Sequence, residues 1–92
     1  MDDKIFKALA DPVRRRIVEL LAVRDMSAGD IASKFDITAP SISRHLSHLK
    51  SAGIITDKRI GQRIIYSFNP LPLQEILQWI YENLGNVWVK KQ

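Results

Sequence analysis

Between Thr38 and Lys50 the chain gathers hydroxyls on Thr38, Ser41, Ser43 and Ser47, a guanidinium on Arg44, imidazoles on His45 and His48, and an ammonium on Lys50. Short hydrogen-bonding side chains interspersed with cations suit non-covalent recognition of a polyanion. Ser and Thr bond bases or phosphates, and an arginine can grip guanine at two points. Ala39 and Pro40 keep the start of the segment small, so its backbone can approach a groove closely. A second set follows at Lys58, Arg59, Gln62 and Arg63, clustered about Gly61.

Covalent chemistry finds no support in the same residues. There is no Ser/His/Asp or Cys/His arrangement, no glycine-rich phosphate loop with its lysine, and no paired carboxylates in a loop, so the chain reads as a non-enzyme. Cysteine is absent, which removes disulfides, thiol redox switches and thiolate metal ligands. His45 and His48 stand at i and i+3, but two nitrogens without a third ligand make a weak metal site. No cofactor and no metal is expected.

The formal net charge is +4 over 92 residues. Lys34, Arg44, Lys50, Lys58, Arg59 and Arg63 face only Asp36 and Asp57 between residues 34 and 63, a local balance of +4, and the remaining cations and acids cancel. The whole excess therefore sits on one third of the chain, around the two sets above, as an electrostatic footprint for nucleic acid requires. The length fits one domain spanning residues 1–92, whose core is marginal without a partner subunit. No apolar run approaches the ~20 residues needed to span a bilayer. The start, Met1-Asp2-Asp3-Lys4, lacks the pattern of a signal peptide. A cytoplasmic protein without membrane insertion is expected.

Helices must position these side chains. Ile5, Phe6 and Leu9 recur at helical spacing behind Asp2 and Asp3. Asp11-Pro12 supplies an N-cap and a first-turn proline for a second helix with its stripe at Val13, Ile17, Leu20 and Leu21. Ser27 with Asp30 resembles a capping box that opens a short third helix through Ile31, Ala32 and Phe35. Thr38 caps a fourth, which runs to about Ala52 and stops at Gly53. At about 100° per residue, Ile42, Leu46 and Leu49 form its core side, leaving Pro40, Arg44, Ser47, His48 and Ser51 outward. Ile54 to Arg59 and the alternating Arg63 to Phe68 then make a hairpin, with a short additional strand placed at Met26. Pro70 and Pro72 end it and admit a last helix carrying Leu73, Ile76, Leu77, Ile80 and Leu84.

The predicted fold is mainly α with a two-stranded β wing, in the order α-α-α-α-β-β-α, a winged helix-turn-helix. The DNA-contacting set is then Thr38, Ala39, Pro40, Ser41, Ser43, Arg44, His45, Ser47, His48 and Lys50 on the recognition helix, with Lys58, Arg59, Gln62 and Arg63 on the wing. A winged-helix module for protein or RNA is the competing class. A protein binder calls for an apolar or acidic face, which Arg44, Ser47 and His48 do not provide.

Four stretches resemble the ArsR/SmtB family of bacterial repressors: residues 6–12 (FKALADP) with Arg14-Arg15, residues 40–46 (PSISRHL), residues 49–53 (LKSAG) and residues 61–66 (GQRIIY). Within the family the chain is most similar to metal-independent autorepressors of the SdpR type. The resemblance implies a dimer that binds double-stranded operator DNA and blocks transcription. It also implies that residues 38–45 enter the groove and that residues 58–63 form the wing. Of the two metal sites common in the family, the third-helix cysteine motif would fall around Ser27, Gly29 and Ala32, and the last helix offers Glu75 and Glu82 without a histidine. The inducing signal is left to a small ligand, a sequestering protein or the repressor's own concentration.

The last helix is apolar over an arc of roughly 200°, twice the usual core-facing stripe. A homodimer closed by the terminal helices accounts for the excess, through Ile5, Phe6, Leu9, Ile76, Trp79, Ile80 and Leu84.

Overall fold

The computed structural model describes the backbone of residues 3–91 and the side chains of residues 3–85. The acidic residue Asp2, expected to favour the first helix, lies outside the described residues. Helix α1 (Asp3–Leu9) is closed by two arginines of the next helix. Arg14 donates from Nε to the Ala8 carbonyl at 2.7 Å and from Nη2 to the Lys7 carbonyl at 2.8 Å, while Arg15 reaches the Leu9 carbonyl at 2.7 Å. These guanidiniums satisfy carbonyls that a helix end leaves without partners. Helix α2 (Pro12–Val23) starts at Asp11, whose carboxylate accepts from the amides of Val13 and Arg14, with proline in the first turn. Ile17, Val18 and Leu21 are its buried face.

Strand β1 (Met26–Ser27) leads into α3 (Ala28–Ala32), where the Ser27 hydroxyl accepts from the Asp30 amide at 3.1 Å. Helix α4 (Ala39–Ser51) buries Ile42, Leu46 and Leu49. It ends in a Schellman motif, in which the Gly53 amide donates to Lys50 at 2.9 Å and the Ile54 amide donates to Leu49 at 3.1 Å. Gly53 has φ +76°, a left-handed conformation that side-chain-bearing residues resist. Ile54 is therefore spent on closing the helix, and β2 (Ile55–Ile60) begins one residue later than the alternation suggests.

Strand β3 (Arg63–Phe68) returns antiparallel to β2, with Ile60 opposite Arg63 across Gly61-Gln62. Gly61 takes φ +64°, and a positive φ at only the first of two loop positions is a hairpin turn of the II′ kind. β1 pairs with the other edge of β3, Met26 opposite Tyr66 and Ser27 opposite Ile65, giving a three-stranded sheet in the order β1-β3-β2. The wing is thus tied to the helical body through β1.

One core cluster runs through Ile5, Ala8, Ile17, Val18, Leu21, Met26, Ile31, Ile42, Leu46, Leu49, Ile54 and Ile55. Beyond β3, Asn69 donates from its amide nitrogen to Ile54 at 2.8 Å and from its side chain to Gly53 at 2.9 Å. The Gly53 Cα faces Pro72, at the start of α5 (Leu71–Lys91). The end of α4, both hairpin strands and the root of α5 therefore meet at one junction. From there α5 leaves the body. The radius of gyration is 15.3 Å, against about 12 Å for a compact chain of this length.

Candidate nucleic-acid interface

The candidate recognition surface is built on the N-terminus of α4. Thr38 takes an extended conformation and its Oγ1 accepts from the Ser41 amide at 3.3 Å, while its hydroxyl donates to Ser41 Oγ at 2.9 Å. The core stripe then fixes the rotation of the helix. Ala39, Pro40, Ser43, Arg44, Ser47, His48, Lys50 and Ser51 are exposed, and Ser41 is half-buried. No large apolar or acidic side chain interrupts this face. Among the described residues, the side chains of Arg44, His48 and Lys58 form no hydrogen bond or ion pair with the rest of the chain, so their polar atoms are available to a ligand.

His45 sits differently from its neighbours in the predicted set. It is half-buried, with Nδ1 3.4 Å from Arg14 Nη1. A guanidinium can only donate, so Nδ1 acts as the acceptor and the ring proton resides on Nε2. Arg14 therefore connects the end of α1 to the recognition helix, a role its place beside the α2 stripe does not signal. Burial alone would push the Asp11 carboxyl up. Hydrogen bonds from the Arg14 and Val13 amides, with the positive charge of the Arg14 guanidinium, outweigh that and hold it below the usual value.

On the hairpin, Lys58, Arg59, Gln62 and Arg63 are all exposed. Arg59 Nε donates to the Gly61 carbonyl at 3.2 Å across the turn. Two predicted cations already hold carboxylates: Lys50 Nζ lies 2.9 Å from Asp57 Oδ2, and Arg63 Nη2 lies 3.3 Å from Asp30 Oδ2. The hydrogen bond from Lys50 to the Asp57 carboxylate raises the Lys50 pKa above its ordinary value. Asp30 and Asp57 therefore sit beside the candidate interface, although the sequence signals the first only as part of a cap.

Comparison with known proteins places the chain in a family. Residues 11–57 match the model of the family described as bacterial regulatory protein, arsR family. The chain belongs to the arsR family. It is 51% identical over 78 residues to the transcriptional repressor SdpR of Bacillus subtilis, covering 85% of this chain and 87% of that protein. It superposes on a crystal structure of an ArsR family transcriptional regulator with a TM-score of 0.85 at 28% identity, covering 94% of this chain and 88% of the other. An ArsR-like transcriptional regulator from Rhodococcus sp. RHA1 matches with a TM-score of 0.84 at 26% identity, covering 96% and 80%. As an arsR-family member the protein is a transcriptional regulator with a winged-helix fold, and not an enzyme.

The residues expected to form a partner surface separate into two groups in this arsR-family chain. Phe6, Trp79, Ile80 and Leu84 are exposed, as are Leu77 and Tyr81. Ile5 is 3% exposed and lies in the monomer core, because α1 turns it toward the other helices, while Leu9 and Ile76 are half-buried against that core. Ile5 is therefore corrected from a surface to a core position. Among the described residues no three His, Cys, Asp or Glu side chains group as a metal site, and no helix is long and apolar enough to cross a membrane.

Proposed function

We propose that the chain is a single-domain, homodimeric, cytoplasmic repressor that reads a palindromic operator with α4, anchors on the DNA backbone with its wing, and regulates its own transcription. The exposed face of α4 carries the reading: Arg44, Ser47 and His48 project between capped, small residues, beside a basic hairpin, with no apolar or acidic side chain among them. Arg44 and the hydroxyls of Thr38, Ser41 and Ser43 read bases, while Lys58, Arg59, Gln62 and Arg63 meet phosphates. That SdpR is a transcriptional repressor supports repression as the sign of control.

The dimer reading rests on α5. From Leu77 to Leu84 every residue is exposed, including Leu77 at 65% and Tyr81 at 77%. A monomer has no reason to leave such a helix beside the solvent, and a second copy would cover it together with Phe6. Two recognition helices related by a two-fold axis call for half-sites about one helical turn, ~10 bp, apart or a multiple of that.

Binding isotherms for Arg44→Ala and Arg63→Ala test the assignment. Arg44→Ala should cost ~1 to 3 kcal/mol per half-site on the protected sequence upstream of the chain's own coding region, and much less on random DNA. Arg63→Ala should weaken both by similar factors. Equal losses for Arg44→Ala on both DNAs would remove it from base reading, and the absence of a protected upstream sequence would remove autorepression.

A further inference from the structure

The charge excess visible in the sequence begins at Lys34, yet the fold brings cations from the first helix beside the recognition helix. Lys4 and Lys7 lie one turn apart on α1. With Ala8, His48 and Ser51 they line an open concavity of about 220 Å³, and among the described residues no acid lines it. His48 and Ser51 belong to the outward face of α4. The Lys7 ammonium and the His48 ring have no partner within the described chain.

The placement of this concavity is held by named interactions. Arg14 grips the Lys7 and Ala8 carbonyls and meets His45, so the end of α1 is fixed against α4. At about 100° per residue, His45 and Lys50 fall on opposite flanks of the buried Ile42, Leu46 and Leu49 stripe. Lys50 meets Asp57 of β2. The hairpin therefore flanks α4 on one side and α1 on the other. A helix seated in the major groove also has a phosphate strand on each side.

We propose that the α1–α4 concavity binds a phosphate of the DNA backbone, through Lys7 and His48 with Lys4 at its rim, so that the interface extends onto α1 and brackets the recognition helix opposite the wing. The inference rests on the DNA-binding reading above and adds a site to it. Neither α1 lysine belongs to the helix-turn-helix or to the wing.

The test is a salt titration on labelled random duplex DNA with wild type, Lys7→Gln, Lys7→Arg, Arg63→Ala and Arg16→Gln. Lys7 is exposed, and the carbonyl that Arg14 uses survives substitution. Each neutralised phosphate adds about 0.9 to the slope of log K against log salt. Raising salt from 50 to 200 mM should therefore weaken Lys7→Gln about 3.5-fold less than wild type for each phosphate no longer held. Lys7→Arg should keep the wild-type slope. Arg16→Gln, which removes a cation paired with Glu19, should change it less than Lys7→Gln does. If Lys7→Gln keeps the wild-type slope, or moves no further than Arg16→Gln, while Arg63→Ala lowers it, the α1 site is overturned and the wing stands. If wild type shows no salt-dependent binding, the DNA-binding reading itself falls, and the site with it.

Discussion

Arg63, the wing arginine expected to meet phosphate, is occupied by Asp30 in the free protein, so DNA must take it from an internal carboxylate. At 3.3 Å in bulk water the pair is worth about 1.3 kcal/mol before salt screening. Both side chains are well exposed, 64% and 60%, which places the pair in the class of surface ion pairs worth ~0.2 to 1 kcal/mol. Asp30→Asn should therefore strengthen binding about 1.4- to 5-fold for each wing engaged, and about 2- to 30-fold for two. Folding should be almost unaffected, because the cap on α3 uses the Asp30 amide and the Ser33 hydroxyl bonds its carbonyl, both of which Asn retains. Fluorescence anisotropy on random duplex DNA with wild type, Asp30→Asn, Arg63→Ala and the double variant isolates the coupling. The gain should vanish in the Arg63→Ala background. A gain of equal size there would show that Asp30 acts only as bulk negative charge, and a loss of affinity in Asp30→Asn would refute the competition outright.

Further expectations concern assembly, capping and the helix stop. Trp79→Glu should turn a sedimenting dimer into monomer or unfolded chain, since an ionised side chain at a dry interface costs several kcal/mol; a wild type that is monomeric at tens of micromolar refutes the dimer. Asp11→Ala should cost ~0.5 to 2 kcal/mol by denaturant titration, as loss of an N-cap does. Because the Asp11 pKa is depressed on folding, its ionic contribution is complete above the unfolded value of about 3.9 and disappears as pH falls through the lower folded value. The gap between wild type and Asp11→Asn should therefore close only in acid, and a gap that widens there would reverse the sign. Gly53→Ala adds a Cβ 3.7 Å from Pro72, an ordinary van der Waals distance, so its cost should be only the ~1 to 2 kcal/mol of a left-handed backbone. Zinc, cadmium, arsenite and copper should leave the DNA complex intact in a gel-shift assay, whereas release by a stoichiometric metal of sub-micromolar affinity would reveal a sensor site.

Local signals were legible and pairings between distant residues were not. Thr38, Pro40 and Gly53 act within a few residues of themselves, so the bounds of α4 and the rotation that exposes Arg44 could be read from spacing alone. Asp11 was legible for the same reason. The partners of Arg63 and of His45 lie 33 and 31 residues away, and nothing in periodicity tells which acid or guanidinium a fold will bring near. Ile5 shares a helical stripe with Phe6 and Leu9, yet only the packing of α1 decides that Ile5 turns inward while Phe6 stays out. Two residues made a weak strand at Met26, and its pairing with β3 became definite only once the hairpin was in place.

The junction where Asn69 holds both Gly53 and Ile54 has a consequence at the scale of the operator. It joins the C-terminal end of α4, the helix proposed to read DNA, to the root of α5, the helix that would meet its twin. In the proposed dimer, such a link between the two roots would make the assembly a caliper whose jaw separation depends on one side-chain amide and one left-handed glycine. A caliper of this kind would select operators by the distance between half-sites as well as by the letters in them, and would reject a correct sequence at the wrong spacing. Loosening the hinge, with the jaws untouched, would relax the first criterion and leave the second in force.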